Sequence, residues 1–175
     1  MSNESSVLLV TPRFTVVRES HPTSRGGVRT REIVRHPGAV VILPLLDDGR
    51  VCLIRNYRVS VKQTLIELPA GTLEPPEEPI VTAERELTEE TGYRAAKLEE
   101  LHAFYLSPGI LDERMHLFLA TGLTPGQPAR EAGEEIENLV LPWEEAVQMA
   151  LDGRIQDAKS IVGLLLVDRL KRERC

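Results

Sequence analysis

Residues 71–93 read GTLEPPEEPIVTAERELTEETGY, and this stretch decides the fold. Residues 77–91 hold no glycine, carry apolar Val81, Ala83 and Leu87, and stop at Gly92. These features predict a helix over 77–91. Pro79 falls in its first turn, where a missing N–H costs little, and Gly92 supplies the end. Glu86, Glu89 and Glu90 stand three and four residues apart, so one helix face carries all three. Like charges at these spacings repel by roughly a few tenths of a kcal/mol per pair. Glu89 and Glu90 also sit near the helix C-terminus, where the helix dipole disfavours anions. Such an arrangement calls for a cation. Several carboxylates with no histidine or cysteine beside them suit a hard ion, Mg²⁺ or Mn²⁺. The plainer alternative is a solvated acidic face, since glutamate is a good helix former.

The spacing around that face decides between the two. Gly71 is followed after five residues by Glu77, and after seven more by Arg85-Glu86-Leu87-Thr88-Glu89-Glu90-Thr91-Gly92-Tyr93. This fills the fixed positions of the pattern G-x5-E-x7-R-E-U-x-E-E-x-G-U, with U a bulky apolar residue and Tyr93 an aromatic variant. At ordinary residue frequencies so complete a match should arise at well under about one in a million positions. The chain therefore resembles the Nudix hydrolases. A looser resemblance to their ADP-ribose pyrophosphatase branch runs from about Val28 to Arg172.

The resemblance implies an α+β chain folded as an α/β/α sandwich with a mixed sheet, the box forming a loop, a helix and a loop. It implies Glu86, Glu89 and Glu90 as metal ligands, joined by the backbone carbonyl of Ala70. Arg85 would orient the glutamates through charge-assisted hydrogen bonds. Gly71 would allow close approach of the backbone. Glu77 ranks below these, because the glutamate at this place in the family is usually structural or associated with metal through water. Pro76 stands where the family commonly has glycine, which implies a slightly different turn over Glu77-Glu78-Pro79. The implied chemistry is attack of an activated water on one phosphorus of a pyrophosphate, with the other phosphate leaving as a monoester.

Ser107-Pro108-Gly109 puts a proline 16 residues after Gly92. On its own it is a turn between strands. It also resembles the mark of ADP-ribose pyrophosphatases, which implies substrate contacts at Pro108, Gly109 and the following Glu113. Arg31 and Glu32 resemble a pair that meets the adenine end of the substrate across a dimer interface. Arg58 resembles an arginine that holds phosphates, for which a planar guanidinium is suited. Exposed strand charge is the plainer reading of all three. In this branch the catalytic base comes from an acidic loop ahead of a strand. Aligning Ile136 with that pattern puts the base at Glu134, with Glu135 next, so the implied catalytic set is Glu134, Glu135, Arg85 and Glu89. An ordinary acidic surface loop would read the same way.

The flanking sequence is consistent with such a domain. Phe14–Arg18, Val28–His36 and Thr64–Leu68 read as strands, and 39–54 as a hairpin around Asp47-Asp48-Gly49. Residues 94–106, 113–121 and 138–141 read as further strands, 122–137 as one long polar loop, and 142–151 and 157–172 as helices. Residues 1–36 are expected to form an N-terminal β extension used for dimerisation, and 37–175 the hydrolase domain. A homodimer follows from the resemblance.

The bulk numbers exclude some alternatives. The 175 residues suit a single core, and the net charge of −6 argues against a general nucleic-acid binder. Cys52 lies in an apolar run, Cys175 is terminal, and no disulfide framework is visible, so a cytoplasmic protein is expected. MSNESSVLLV lacks a basic region and a long enough apolar run for a signal peptide, and no membrane association is expected. The expected partner is a nucleoside diphosphate sugar, with ADP-ribose the leading substrate. GDP-mannose, another diphosphate sugar or a dinucleoside polyphosphate is the alternative within the family. A Nudix-fold module that binds nucleotides without cleaving them is the alternative of another class, and a purely structural acidic domain a third.

Overall fold

A computed structural model describes residues 5–130 and 135–173. Strands β1 (Ser5–Val10), β2 (Thr15–Pro22) and β3 (Val28–Arg35) form an antiparallel sheet in that order. Every residue of β1 is exposed. This sheet meets the rest of the chain where the Val34 N–H donates to the Ile110 carbonyl (2.8 Å) and the Asp112 N–H to the Val34 carbonyl (3.1 Å).

The centre of the fold is β4 (Ala39–Pro44), buried at all six positions. It pairs in parallel with β9 (Arg114–Thr124) and antiparallel with β7 (Ala70–Thr72). Strand β8 (Arg94–Tyr105) adds to β9, giving a mixed four-stranded sheet in the order β7-β4-β9-β8. Period-two alternation divides β4 between two cores. Val40 and Ile42 join Ala83, Leu87 and Phe118 on the side of helix α1 (Pro79–Glu86). Ala39, Val41 and Leu43 join Leu53, Trp143 and Leu164 on the side of α2 (Trp143–Leu151) and α3 (Ala158–Glu173). A strand covered on both faces reads as a continuous apolar run, which is what 39–44 shows.

The expected hairpin over 39–54 is not formed. Strand β5 (Arg50–Arg58) lies in a different sheet, between β10 (Ile136–Pro142) and β6 (Gln63–Glu67). Asp47-Asp48-Gly49 does turn the chain, with the Leu46 N–H donating to the Arg50 carbonyl (2.8 Å), but beyond one bridge between Leu45 and Val51 the strands part. Both strands hold consecutive buried residues, so both of their faces are covered, and each is hydrogen-bonded along both edges to other strands of its own sheet.

The expected helix over 77–91 starts two residues late, after Glu78, and changes pitch. It is α-helical over Pro79–Glu86 and widens into a π turn over Leu87–Thr91. Gly92 ends it in the left-handed conformation (φ 79°), where glycine is favoured. The expected loop 122–137 is shorter than read, because β9 runs to Thr124 and β10 begins at Ile136. No described helix is long and apolar enough to cross a membrane.

Candidate active site

The π turn brings Glu90 against the corner between β6 and β7. Glu90 is 4% exposed, and its Oε2 accepts the Ala70 N–H at 2.9 Å. Glu86 lies over Gly71, where an added Cβ would fall 1.9 Å from the carboxylate. Glu89 accepts a hydrogen bond from Arg85 at 3.0 Å. Single π turns inside α-helices occur often at functional sites.

Arg85 ties the set together. Its Nη1 donates to Glu86 Oε1 (2.8 Å) and Glu89 Oε2, and its Nη2 reaches Glu77 Oε2 at 3.4 Å. Burial alone would lower the Arg85 pKa, but Glu86, Glu77 and Glu89 more than reverse this, so it stays charged. Glu77 sits outside the helix. The Thr82 hydroxyl (2.8 Å) and then Arg85 hold its carboxyl below the usual range.

Glu86, Glu89, Glu90, Ala70 and Gly71 line a cleft of about 760 Å³. Arg13, Arg35 and Arg58 line the same cleft, so it holds both carboxylates and guanidinium groups. Among the described residues, no three His, Cys, Asp or Glu side chains already converge as a metal site. The donor chemistry nevertheless fits a hard divalent ion: three carboxylates from one helical segment, with no sulfur or imidazole among them.

The remaining residues singled out in the sequence are dispersed. Arg31 and Glu32 lie on exposed β3, with Glu32 accepting from Arg18 Nε at 2.9 Å, and neither lines the cleft of its own chain. Pro108 and Gly109 form an exposed turn between β8 and β9, closed by the Leu111 N–H on the Ser107 carbonyl (2.9 Å), also outside the cleft. Glu113 approaches the cleft residue His36, 3.8 Å from its Nδ1. Glu135 is exposed, and Glu134 lies outside the described residues.

Three contributions were missed in the sequence. The turn between β1 and β2 brings Arg13 and Phe14 to the cleft, and it is held by the Thr11 hydroxyl, which accepts the Phe14 N–H at 2.9 Å. The open carbonyls at the end of the π turn are capped from outside the helix. The Ala129 N–H donates to Glu89 O (2.9 Å), Arg130 Nε to Glu90 O (3.1 Å) and Asn138 Nδ2 to Thr91 O (2.8 Å). Nothing in the local sequence around 129–138 announces this. The third contribution is Glu67, buried beneath Arg58. A carboxylate inside the apolar run TLIEL was a usable signal, since a buried charge requires a partner.

Comparison with known proteins agrees with this geometry. A model of the NUDIX domain matches residues 34–162. An ADP-ribose pyrophosphatase of Bacillus subtilis (strain 168) is 43% identical over 137 residues, covering 77% of this chain and 74% of that protein. A methanol dehydrogenase activator of Bacillus methanolicus is 39% identical over 141 residues, 79% of this chain and 76% of its own. A GDP-mannose pyrophosphatase of Cronobacter sakazakii (strain ATCC BAA-894) is 38% identical over 149 residues, 75% of this chain and 77% of its own. The crystal structure of an ADP compounds hydrolase aligns with a TM-score of 0.85 at 24% identity, over 98% of this chain and 93% of that one, a likeness of fold. The domain match spans the whole box, and the box lines the cleft: the chain belongs to the Nudix family.

Proposed function

We propose that the protein hydrolyses the pyrophosphate bond of a nucleoside diphosphate sugar, with ADP-ribose the leading substrate and AMP and ribose 5-phosphate the products. The observation that carries this reading is that Glu86, Glu89 and Glu90 share one cleft with Arg13, Arg35 and Arg58. A pyrophosphate carries dense negative charge and needs both cationic side chains and metal. Relatives named ADP-ribose pyrophosphatase and GDP-mannose pyrophosphatase support the substrate class.

Glu86, Glu89 and Glu90, with the Ala70 carbonyl, would hold Mg²⁺ or Mn²⁺. Such an ion supplies charge neutralisation and a lowered pKa for a bound water. Arg85 holds the Glu86 and Glu89 carboxylates in place. Arg58 binds the diphosphate. Water adds to one phosphorus, the bond from that phosphorus to the bridging oxygen breaks, and the second phosphate leaves with that oxygen. Glu134 or Glu135 takes the proton from the water. Residues 1–36 serve as a dimerisation extension on the hydrolase domain 37–175. Exposed Val7, Leu8, Leu9 and Val10 on β1 offer apolar surface for a second copy, whose Arg31 and Glu32 would reach this cleft. The protein acts in the cytoplasm, without membrane or nucleic acid.

The test is incubation with ADP-ribose, with GDP-mannose in parallel, with and without Mg²⁺. Products are resolved by chromatography and Glu90→Gln serves as control. AMP and ribose 5-phosphate from the wild type alone, only with metal, uphold the proposal. GDP-mannose cleaved while ADP-ribose survives moves the substrate but keeps the chemistry. Both substrates recovered intact overturn it.

A further inference from the structure

A chain of alternating charge runs inward from Arg58, which lines the cleft. Arg58 donates to Glu67 in a two-point pair, Nε to Oε1 at 2.8 Å and Nη2 to Oε2 at 2.6 Å. The Glu67 side chain is 1% exposed and that of Arg58 is 39% exposed. Glu67 Oε2 also accepts from Lys159 Nζ at 2.5 Å, and Lys159, 8% exposed at its side chain, reaches Asp157 at 2.8 Å. Asp157 in turn accepts the Ser160 N–H (3.0 Å) in the first turn of α3, and the Ser160 hydroxyl accepts the Leu68 N–H at 2.6 Å. Glu67 and its neighbour Leu68 are thereby both fixed to the start of α3.

Only the Arg58 end of this chain lines the cleft; Glu67, Lys159 and Asp157 do not. A two-point carboxylate pair fixes the plane and direction of a guanidinium, and a guanidinium has more N–H donors than one carboxylate can use. A single buried Glu67 would cancel the charge of Arg58. It would also be stranded if Arg58 shifted toward an anion, a costly state for a buried carboxylate. Lys159 removes both problems. It offsets the Glu67 charge, so Arg58 keeps its attraction for phosphate, and it keeps Glu67 paired wherever Arg58 moves.

We propose that Glu67 and Lys159 are positioning residues that aim Arg58 at the substrate diphosphate. This rests on the reading of Arg58 as a diphosphate ligand. The effect belongs in substrate binding and not in the bond-breaking step, because neither residue lines the cleft and both act through Arg58, a binding group.

The experiment is a double-mutant cycle in the full chain with Arg58→Ala, Glu67→Gln and the combination, beside Lys159→Met and Lys159→Arg. Two readouts are taken: KM and kcat with ADP-ribose, and the Kd for its non-hydrolysable methylene diphosphonate analogue with Mg²⁺. Arg58→Ala and Glu67→Gln should each raise KM and Kd by about tenfold, the scale of one charge-assisted bond, with kcat changed far less. The combination should be no worse than Arg58→Ala alone, since both act through one group. Lys159→Met should raise KM and Kd, and Lys159→Arg should restore them. Folded Glu67→Gln and Lys159→Met proteins with wild-type Kd would overturn the proposal, as would additive losses in the cycle. If Glu67→Gln does not fold, the Lys159 pair decides by the same criterion. If Arg58→Ala itself leaves Kd unchanged, the diphosphate role of Arg58 falls, and the positioning role with it. The analogue separates these outcomes from a failure of the hydrolysis reading, because it reports binding without turnover.

Discussion

The Glu86 carboxylate fills the space that a side chain on residue 71 would take. A Cβ on Gly71 would lie 1.9 Å from both Glu86 Cδ and Oε1, and 2.4 Å from Cγ. The clash falls on the end of a flexible side chain and not on backbone. Gly71→Ala should therefore leave the fold standing and move the carboxylate off Arg85 Nη1, now 2.8 Å away. The expected result is a loss of roughly 10- to 100-fold in activity, the scale seen when support around metal ligands is disturbed. Tm should shift by only about 1–4 °C. A fully active Gly71→Ala protein would refute the tight seating of Glu86.

The end of the π turn depends on residues far along the chain. Arg130 Nε caps the Glu90 carbonyl, Arg130 Nη2 holds Asn138 Oδ1 at 2.8 Å, and Asn138 Nδ2 caps the Thr91 carbonyl. Arg130→Met or Asn138→Ala removes these donors and leaves carbonyls unmet, at a cost of about 1–3 kcal/mol. Thermal denaturation should show a fall of roughly 2–10 °C for either variant. Because the two side chains bond each other, the double variant should lose less than the sum of the singles. Strictly additive shifts in Tm would contradict a shared cap.

Glu67 makes stability depend on acid. Burial pushes its carboxyl up, but hydrogen bonds and charge from Arg58 and Lys159 prevail, and its pKa lies below the ordinary 4.5. A carboxyl with a lowered native pKa stabilises the fold fully above its unfolded value. That contribution is lost as pH falls below 4.5 and through the native pKa. Glu67→Gln should thus be less stable than wild type at pH 7, and the gap should narrow as pH drops from about 5 to 3. Denaturant melts across that window check it. Parallel stability curves for the two proteins would rule out Glu67 as a source of the acid dependence.

The box was legible because its physics is local. Glu86, Glu89 and Glu90 sit on consecutive turns of one helix, and helix spacing alone brings them to one side. Arg85, four residues before Glu89, likewise falls within reach of it. Most strands were legible for the same reason, as apolar or alternating runs between turn residues, but β1 and the three-residue β7 were not read. What the sequence did not disclose is pairing at long range. The 39–54 segment has the pattern of a hairpin, and only the competing partners, β9 and β7 for one strand and β10 and β6 for the other, pull it open. The Arg130–Asn138 cap spans 40 and 47 residues to the carbonyls it serves, and Lys159 lies 92 residues from Glu67. Neither leaves a periodic trace.

Cys52 should be chemically silent. It is fully buried on β5, its Sγ donates to the Leu53 carbonyl at 3.6 Å, and burial pushes its pKa up to about 12. The thiolate is the reactive form, so almost none is present at pH 8. In a Cys175→Ser variant, which leaves Cys52 as the sole thiol, a colorimetric thiol reagent should give no signal from native protein over the time that a free thiol reacts fully. One equivalent should appear when denaturant unfolds the chain. The rate of labelling at intermediate denaturant then reports opening of the core around Leu53 and Leu139, the strand neighbours of β5 and β10. Rapid reaction in the native state would mean that β5 is accessible without unfolding, against its place between β10 and β6.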